Sequence, residues 1–328
     1  MKKITNLFLI SIIFTFVVLT SSCSKEASAD KKNFQNLLEE FESSSLVEFN
    51  ESVYAGGLEG VFEINPNNLS YEKLDIGDIF LVKDLLVHND ELYIGHEEGI
   101  KVYKDGKYKE ILNKDSNVND IRVNDLYIDK SGKLWAGTYG GVLKLNKGKW
   151  ESLTTDEGLM DDTVFLIIED GSGGMVFGHY ASSDSGLSYL KNGKWSYFNT
   201  ENGLPHNHIT DGIRKEDKLY ITTGFFDVGG VAVFNISKEG IEHERNIIEE
   251  WGDHGSKARS IGIREDELWI GTEYNGLSII ESGNIYNFNE ENGLVHNEVK
   301  SILFRKDGMV WLGTRSGVSV IEAEELLN

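Results

Sequence analysis

Cysteine occurs once in the 328 residues, at Cys23, and proline only twice. A lone cysteine excludes an intrachain disulfide framework. With so little proline, the turns have to be built from Gly, Asn and Asp, which reach the positive φ angles of tight hairpins. Glycine supplies 35 residues for that purpose. Basic residues are also scarce, 32 Lys and Arg against 54 Asp and Glu, for a net charge of −22. Such a surface repels phosphate backbones, so a nucleic-acid partner is not expected. The apolar run from Leu7 to Leu19 falls short of the ~20 residues that span a bilayer as a helix. Chemical signatures are missing as well. No His-x-x-x-His zinc pair, Gly-x-Ser-x-Gly elbow or phosphate-cradling glycine loop occurs. The acidic turns around Asp129, Asp170, Asp217, Asp266 and Asp307 lack the alternating oxygen ligands of a calcium loop. They read as hairpin turns, and no metal, cofactor or catalytic residue is expected from them.

What the chain does contain is one phrase, repeated. Lys306-Asp307-Gly308-Met309-Val310-Trp311-Leu312-Gly313-Thr314 reads as an acidic turn followed by a strand ending in a Gly-Thr step. Copies centre on Gly56, Gly95, Gly137, Gly178, Thr222, Gly271 and Gly313, at steps of 39, 42, 41, 44, 49 and 42 residues. A period near 40 with strand-only content predicts an all-β, seven-bladed β-propeller of four-stranded antiparallel blades. Trp135, Trp269 and Trp311 are then expected between blades. A fourth-strand signature recurs at Tyr71/Leu74, Tyr108/Ile111, Trp195/Phe198 and Ile285/Phe288, and fits least well around Ile241 to Ile247. The last repeat ends without a fourth strand, while Phe34-Gln35-Asn36-Leu37 carries its pattern. The N-terminal segment is therefore predicted to complete blade seven; a short helix over residues 33–41 is the competing reading.

The first residues read as an address. Lys2 and Lys3 precede the apolar run, and Leu19-Thr20-Ser21-Ser22-Cys23 resembles a lipobox, with Thr20 where Leu is usual. The organisation expected is a lipoprotein signal peptide over residues 1–22, a lipidated Cys23 with a flexible tether to residue 33, and the propeller over 34–328. Loss of the signal removes two lysines and takes the net charge to −24. Ser24-Lys25-Glu26 resembles the acidic export signal of surface lipoproteins in the Bacteroidetes. The lipid would hold the protein to a membrane of the cell envelope, with the outer membrane expected, facing the periplasm or the cell surface.

At Glu291-Asn292-Gly293-Leu294-Val295-His296-Asn297-Glu298-Val299, followed by Lys306-Asp307-Gly308 and Trp311-Leu312-Gly313-Thr314, the chain is similar to the two-component-regulator propeller repeat. Asp156-Glu157-Gly158-Leu159 and Glu201-Asn202-Gly203-Leu204 repeat its opening. The resemblance implies the propeller fold and a sensing or binding habit, often toward oligosaccharides. It does not imply kinase activity, because no histidine-kinase motif accompanies the repeats.

In a propeller the turns joining second to third strands and the inter-blade loops gather on one face around the central bore. By resemblance, that is where a ligand is expected. The longest second-to-third connections are 179–186 and 223–230, offering His179, Tyr180, Asp184, Phe225, Phe226 and Asp227. Equivalent turns add Tyr139, Glu273, Tyr274 and Arg315, and inter-blade loops add His206, His254 and His296. Aromatic faces beside carboxylates, Arg and His suit an oligosaccharide or a protein segment. The alternatives are packing of these residues against neighbouring loops, a metal-dependent lyase using His179, His206, His296 and Glu273, and an accessory sensor feeding a separate kinase.

Overall fold

The computed structural model describes residues 31–181, 183–226, 228–247 and 257–327. Cys23, Asp227 and His254 lie outside them. After β1 (Gln35–Leu37), the first blade is β2 (Ser43–Phe49), β3 (Ser52–Gly57), β4 (Gly60–Ile64) and β5 (Tyr71–Lys73). The second is β6 (Asp84–His88), β7 (Glu91–His96), β8 (Gly99–Lys104) and β9 (Lys107–Leu112). The third is β10 (Val123–Ile128), β11 (Leu134–Thr138), β12 (Gly141–Asn146) and β13 (Lys149–Leu153). The fourth is β14 (Val164–Glu169), β15 (Met175–His179), β16 (Leu187–Lys191) and β17 (Lys194–Phe198). The fifth is β18 (Ile209–Lys215), β19 (Lys218–Phe225), β20 (Val228–Ile236) and β21 (Ile241–Ile247). The sixth is β22 (Ala258–Arg264), β23 (Glu267–Thr272), β24 (Leu277–Glu281) and β25 (Asn284–Phe288). The seventh is β26 (Val299–Phe304), β27 (Met309–Thr314) and β28 (Gly317–Glu322), followed by α1 (Ala323–Leu327). Each blade is an antiparallel meander, and the first strands touch one another in a ring that closes from β26 back to β2.

The repeated phrase has a separate reason for each residue. Strand β11, Leu134-Trp135-Ala136-Gly137-Thr138, is buried throughout because neighbouring blades cover both its faces. The glycine lets the next blade's first strand pass close. A Cβ on Gly95 would stand 2.6 Å from Val123 Cγ1, and one on Gly178 2.5 Å from Ile209 Cγ2. The threonine closes the following turn: Thr138 Oγ1 donates to Gly141 O at 2.8 Å, and Thr314 Oγ1 to Gly317 O at 2.9 Å. The tryptophans pack between blades, Trp135 against Phe177 of blade four and Trp269 edge-on to Phe304 of blade seven. Each apolar cluster among the described residues straddles two adjacent blades, so the core is a set of interfaces around the ring.

Blade seven is completed from the other end of the chain. Strand β1 pairs antiparallel with β28 in the register Gln35↔Val320, Asn36↔Ser319, Leu37↔Val318. The alternative helix over this segment does not form. Asn36 adds two side-chain bonds, accepting from Ser319 Oγ at 2.7 Å and donating to Gly293 O at 3.1 Å. Leu37, Leu38 and Phe41 then enter the cluster between blades seven and one. The tether expected to run to residue 33 is tied down earlier, since Lys32 N donates to Asn292 O at 2.8 Å.

First strands carry a β-bulge near their start, at Ser44, Asn124, Phe165, Thr210, Arg259 and Lys300. Lys83, whose N–H bonds Gly95 O beside the Asp84↔Gly95 pair, holds the same place in blade two. A bulge turns consecutive side chains toward one side of the strand. The residue after it reaches across to the next blade. Asp84 accepts the Leu126 N–H at 2.9 Å, Asp125 that of Ile167 at 2.5 Å, and Asp211 that of Ile261 at 3.0 Å. Ser45 does the same with Leu85 N at 3.1 Å. These carboxyls border the narrow bore, where a water molecule can reach them but protein surrounds them on every side. Burial, only partly offset by the hydrogen bonds, pushes Asp84 up to about 6 and Asp211 up to about 7; burial together with the neighbouring Asp84 raises Asp125 as well.

Two outcomes follow from this construction. A chain beginning at Glu42 lacks the closing strand and should melt at least 10 °C below the full protein by differential scanning calorimetry; an unchanged melting temperature would sink closure by β1. The second concerns pH. An acid whose folded pKa is raised above its unfolded value of ~3.9 stabilises fully below that value, and the contribution is lost as pH rises through the folded pKa. Buried His96 and His179, both pushed down to about 4 by desolvation, act oppositely below ~6.5, so the whole-protein profile mixes the two. Asp211→Ser isolates the acid and copies Ser45. Its stability relative to the parent should rise between pH 5 and 7, by at most ~1.4 kcal/mol per unit. Parallel melting curves across that range would show Asp211 titrating normally.

Candidate functional site

Second-to-third turns and inter-blade loops converge on one face, and blades three to five line it with a continuous run of rings. Arg122 lies over Tyr139, 4.4 Å from the ring centroid. Tyr139 meets Phe165 edge-on at 5.8 Å, Phe165 stacks on Tyr180 at 4.9 Å, and Tyr180 contacts His208 at 4.8 Å. His208 then meets Phe225 at 4.9 Å, and Phe225 meets Phe226 at 4.3 Å. His206 lies beside both His208 and Phe225. The run begins half-buried and ends in solvent, with Phe226 64% and Val228 55% exposed.

Charged groups continue the arc. Buried Lys257 bonds the Tyr180 hydroxyl and pairs with Glu273 at 2.9 Å, joining blade six to the aromatic run. Farther round, Arg259, Lys300 and Arg315 surround the buried Glu298, with Lys300 also 2.5 Å from Glu42. Burial of Glu298 works against its charge, but Arg259 and Lys300 outweigh it and hold its pKa below the usual carboxylate value. Between arc and cations the bore opens as a cavity of about 260 Å³, lined by residues that include Lys83, Asn124, Phe165, Thr210, Arg259 and Lys300.

The structure sorts the sequence-derived candidates. It brings Tyr139, Tyr180, Phe225, Phe226 and His206 into one run, and links Glu273 to it through Lys257. Arg315 belongs to the opposite, charged sector. Tyr274 is 49% exposed on the rim, where its hydroxyl reaches Glu273 at 3.3 Å. Asp184 sits on a turn held by Asn207 Nδ2 donating to Ser183 O at 2.6 Å. His206 and His296 each accept a backbone N–H two residues on through Nδ1, from His208 and Glu298, so both also brace their own loops.

Two expectations need correction. His179 does not face the loops: it ends β15 with no exposed surface and bonds Ser188 Oγ at 2.8 Å inside blade four. On both sides of Asp227 the expected long loop is a strand extension, β19 running on to Phe225 and β20 starting at Val228. Gly224 pairs with Gly229 and Phe225 with Val228, so the hairpin projects beyond its neighbours. His179, His206, His296 and Glu273 do not converge, and among the described residues no three His, Cys, Asp or Glu side chains are grouped to hold a metal.

Sequence reasoning missed Phe165, His208, Lys83, Arg259, Lys300 and Lys257. Five of the seven bulge positions differ from one another in chemical type, running through hydroxyl, ammonium, amide, aromatic and guanidinium, while the residue before each is small or β-branched and buried. A repeat position that varies between strictly periodic neighbours is free of packing duty and faces the bore. That was the available signal.

Comparisons with known proteins agree with the fold. Residues 117–140 match the family described as two component regulator propeller. No curated protein sequence matches the chain. The extracellular domain of the one-component system BT4673 from B. thetaiotaomicron superposes with a TM-score of 0.70 at 19% identity, over 88% of this chain and 40% of that one. That of the hybrid two-component system BT3049 from the same organism gives 0.72 at 18%, over 88% and 41%. The chain thus spans about two fifths of either. Virginiamycin B lyase from Staphylococcus aureus gives 0.65 at 14% identity, covering 88% of this chain and 98% of the lyase. At these identities the likeness is one of fold, shared alike by the extracellular domains of one- and two-component systems and by a lyase.

Proposed function

We propose that the protein is an extracytoplasmic recognition propeller, held to the cell envelope by a lipid on Cys23, that binds an oligosaccharide on its loop face. The observation that carries this reading is the run of rings from Tyr139 to Phe226. Core aromatics are covered, whereas these pass from half-burial to open solvent beside the bore. An exposed hydrophobic stretch of that kind marks an interaction surface. Flat apolar faces flanked by Lys257, Glu273 and Arg122 match the faces and hydroxyl edges of sugar rings. The fold shared with extracellular domains of one- and two-component systems supports a second reading of the same face, in which occupancy is passed to a separate signalling protein.

Phe226 makes no core contact, so Phe226→Ala should leave the melting temperature unchanged. Together with Tyr180→Ala it should lower affinity for an oligosaccharide ligand found by glycan array at least tenfold, equivalent to ~1.4 kcal/mol. Titration calorimetry checks this, and unaltered binding by both variants removes the face from consideration. For the anchor, Cys23→Ser should move the protein from the membrane to the soluble fraction after cell lysis. Retention in the membrane pellet would count against lipidation at Cys23.

A further inference from the structure

One hairpin turn breaks a rule that the others keep. Among the described residues, the two-residue turns that start in the left-handed backbone region carry a polar first residue, as at Asn89, Asp105 and Ser282; between β19 and β20 it is Phe226, at φ 52°. A bulky side chain in that conformation costs strain that Asn or Gly avoids. Packing does not offset it, since Phe226 is largely exposed and its ring contact is with Phe225, itself exposed. The hairpin is firmly seated at its base, where a Cβ on Gly224 would stand 2.7 Å from Lys257 Cα. Phe225, Phe226 and Val228 therefore form a held, convex apolar tip. Inner rings of the run can serve a saccharide, but a protruding aromatic tip fits a hollow in another macromolecule.

An independent observation on the opposite face supplies such a hollow. Between blades two and three, beside the β6–β7, β10–β11 and β12–β13 turns, a groove of about 450 Å³ opens over Val102, Ile111, Ile128 and Leu145. Lys109, Lys133 and Lys147 stand along it, and no Asp or Glu lines it. Lys109 is answered by Glu91 at 3.3 Å, whereas no carboxylate among the described residues pairs with Lys133 or Lys147. Asp129, on the adjoining turn, is engaged by the Ser131 hydroxyl, the Lys133 N–H and the Trp135 indole. The basic character is local: residues 101–149 hold 11 Lys and Arg against 6 Asp and Glu, in a chain of net charge −22. Around the tip the sign is reversed. Lys257 and Glu273 cancel there, which leaves Asp184 and Glu201 on the flanking loops.

We propose that the partner is a second copy of this chain, the β19–β20 tip of one molecule seating in the lysine-edged groove between blades two and three of the next. Tip and groove match in shape, in apolar character and in charge. They lie on opposite faces, so the contact is heterologous and each molecule keeps one free half for a further copy. Three side chains bury a few hundred Å² per contact, well short of the ~1,200–2,000 Å² of a stable complex. Association is therefore weak in dilute solution and strengthened wherever copies are held close together. This assembly does not depend on the saccharide reading, because the groove is on the other face.

Sedimentation velocity of the full chain, carrying Cys23→Ser so that no lipid is attached, tests the contact. The average sedimentation coefficient should climb with protein concentration. Phe226→Asn, which installs the residue favoured by the turn, and the double variant Lys133→Glu/Lys147→Glu should each weaken association at least tenfold with no loss of melting temperature. Mixing these two variants should give dimers and nothing larger, since each retains the half that the other lacks. A monomer at every concentration overturns the proposal, as does association that survives either variant. Failure of the mixed variants to pair also overturns it, because a head-to-tail contact requires that complementation. The lysine variant lies far from the loop face and leaves any saccharide binding unchanged, so the assembly and the saccharide site are read separately.

Discussion

Everything on the loop face depends on how the seven first strands meet around the bore. Each must pass close to the second strand of the preceding blade, and the glycine of the repeated phrase creates that space: Gly95 admits Val123 and Gly178 admits Ile209. Near its start the strand bulges, which sends one side chain into the bore and the next toward the adjoining blade. Asp84, Asp125 and Asp211 then hold neighbouring strands through backbone N–H groups at the level where the cavity opens. Packing sets the distance between blades, and the bulge sets what the cavity is made of.

The electrostatics divide along the same line. Acidic residues in the outer turns serve the turns themselves: Asp129 accepts from Ser131, Lys133 and the Trp135 indole, and Asp170 from Ser172, Gly174 and Tyr189. In spite of burial these bonds hold both carboxyls down to about 2. In the bore, burial outweighs the hydrogen bonds that the carboxyls accept, and they are raised instead. One residue type thus serves as ionised turn former on the outside and reluctant anion at the centre, according to whether donors or burial prevail. Cations at the cavity mouth occupy bulge positions and owe nothing to the repeat.

Blade architecture was legible because it is periodic. A residue with the same task in every blade recurs every 40 or so positions, and Gly313, Thr314 and Trp311 announce their roles by repetition. Closure by Phe34-Gln35-Asn36-Leu37 was legible for the same reason, as one copy of a pattern missing at one end and present at the other. Individual site residues were harder. Tyr139, Tyr180, Phe225 and Phe226 could be placed on loops, but His179 at a strand end looks like a loop residue until Ser188 is seen to bond it inside the sheet. Gly224 and Gly229 read as loop formers, yet they pair across an extended hairpin, because a backbone without side chains can continue a ladder as readily as break it.

The sequence by itself determined the number of blades, their boundaries and the residues that lock them together, since these follow from local periodicity and from a glycine or aromatic needed at each repeat. Only the tertiary structure decided the composition of the bore. Lys83, Asn124, Phe165, Arg259 and Lys300 are separated by up to 217 positions along the chain and share no motif. They become neighbours because a closed ring brings one equivalent position of every blade to a common axis, where each side chain is chosen for what it faces and not for what precedes it in the chain.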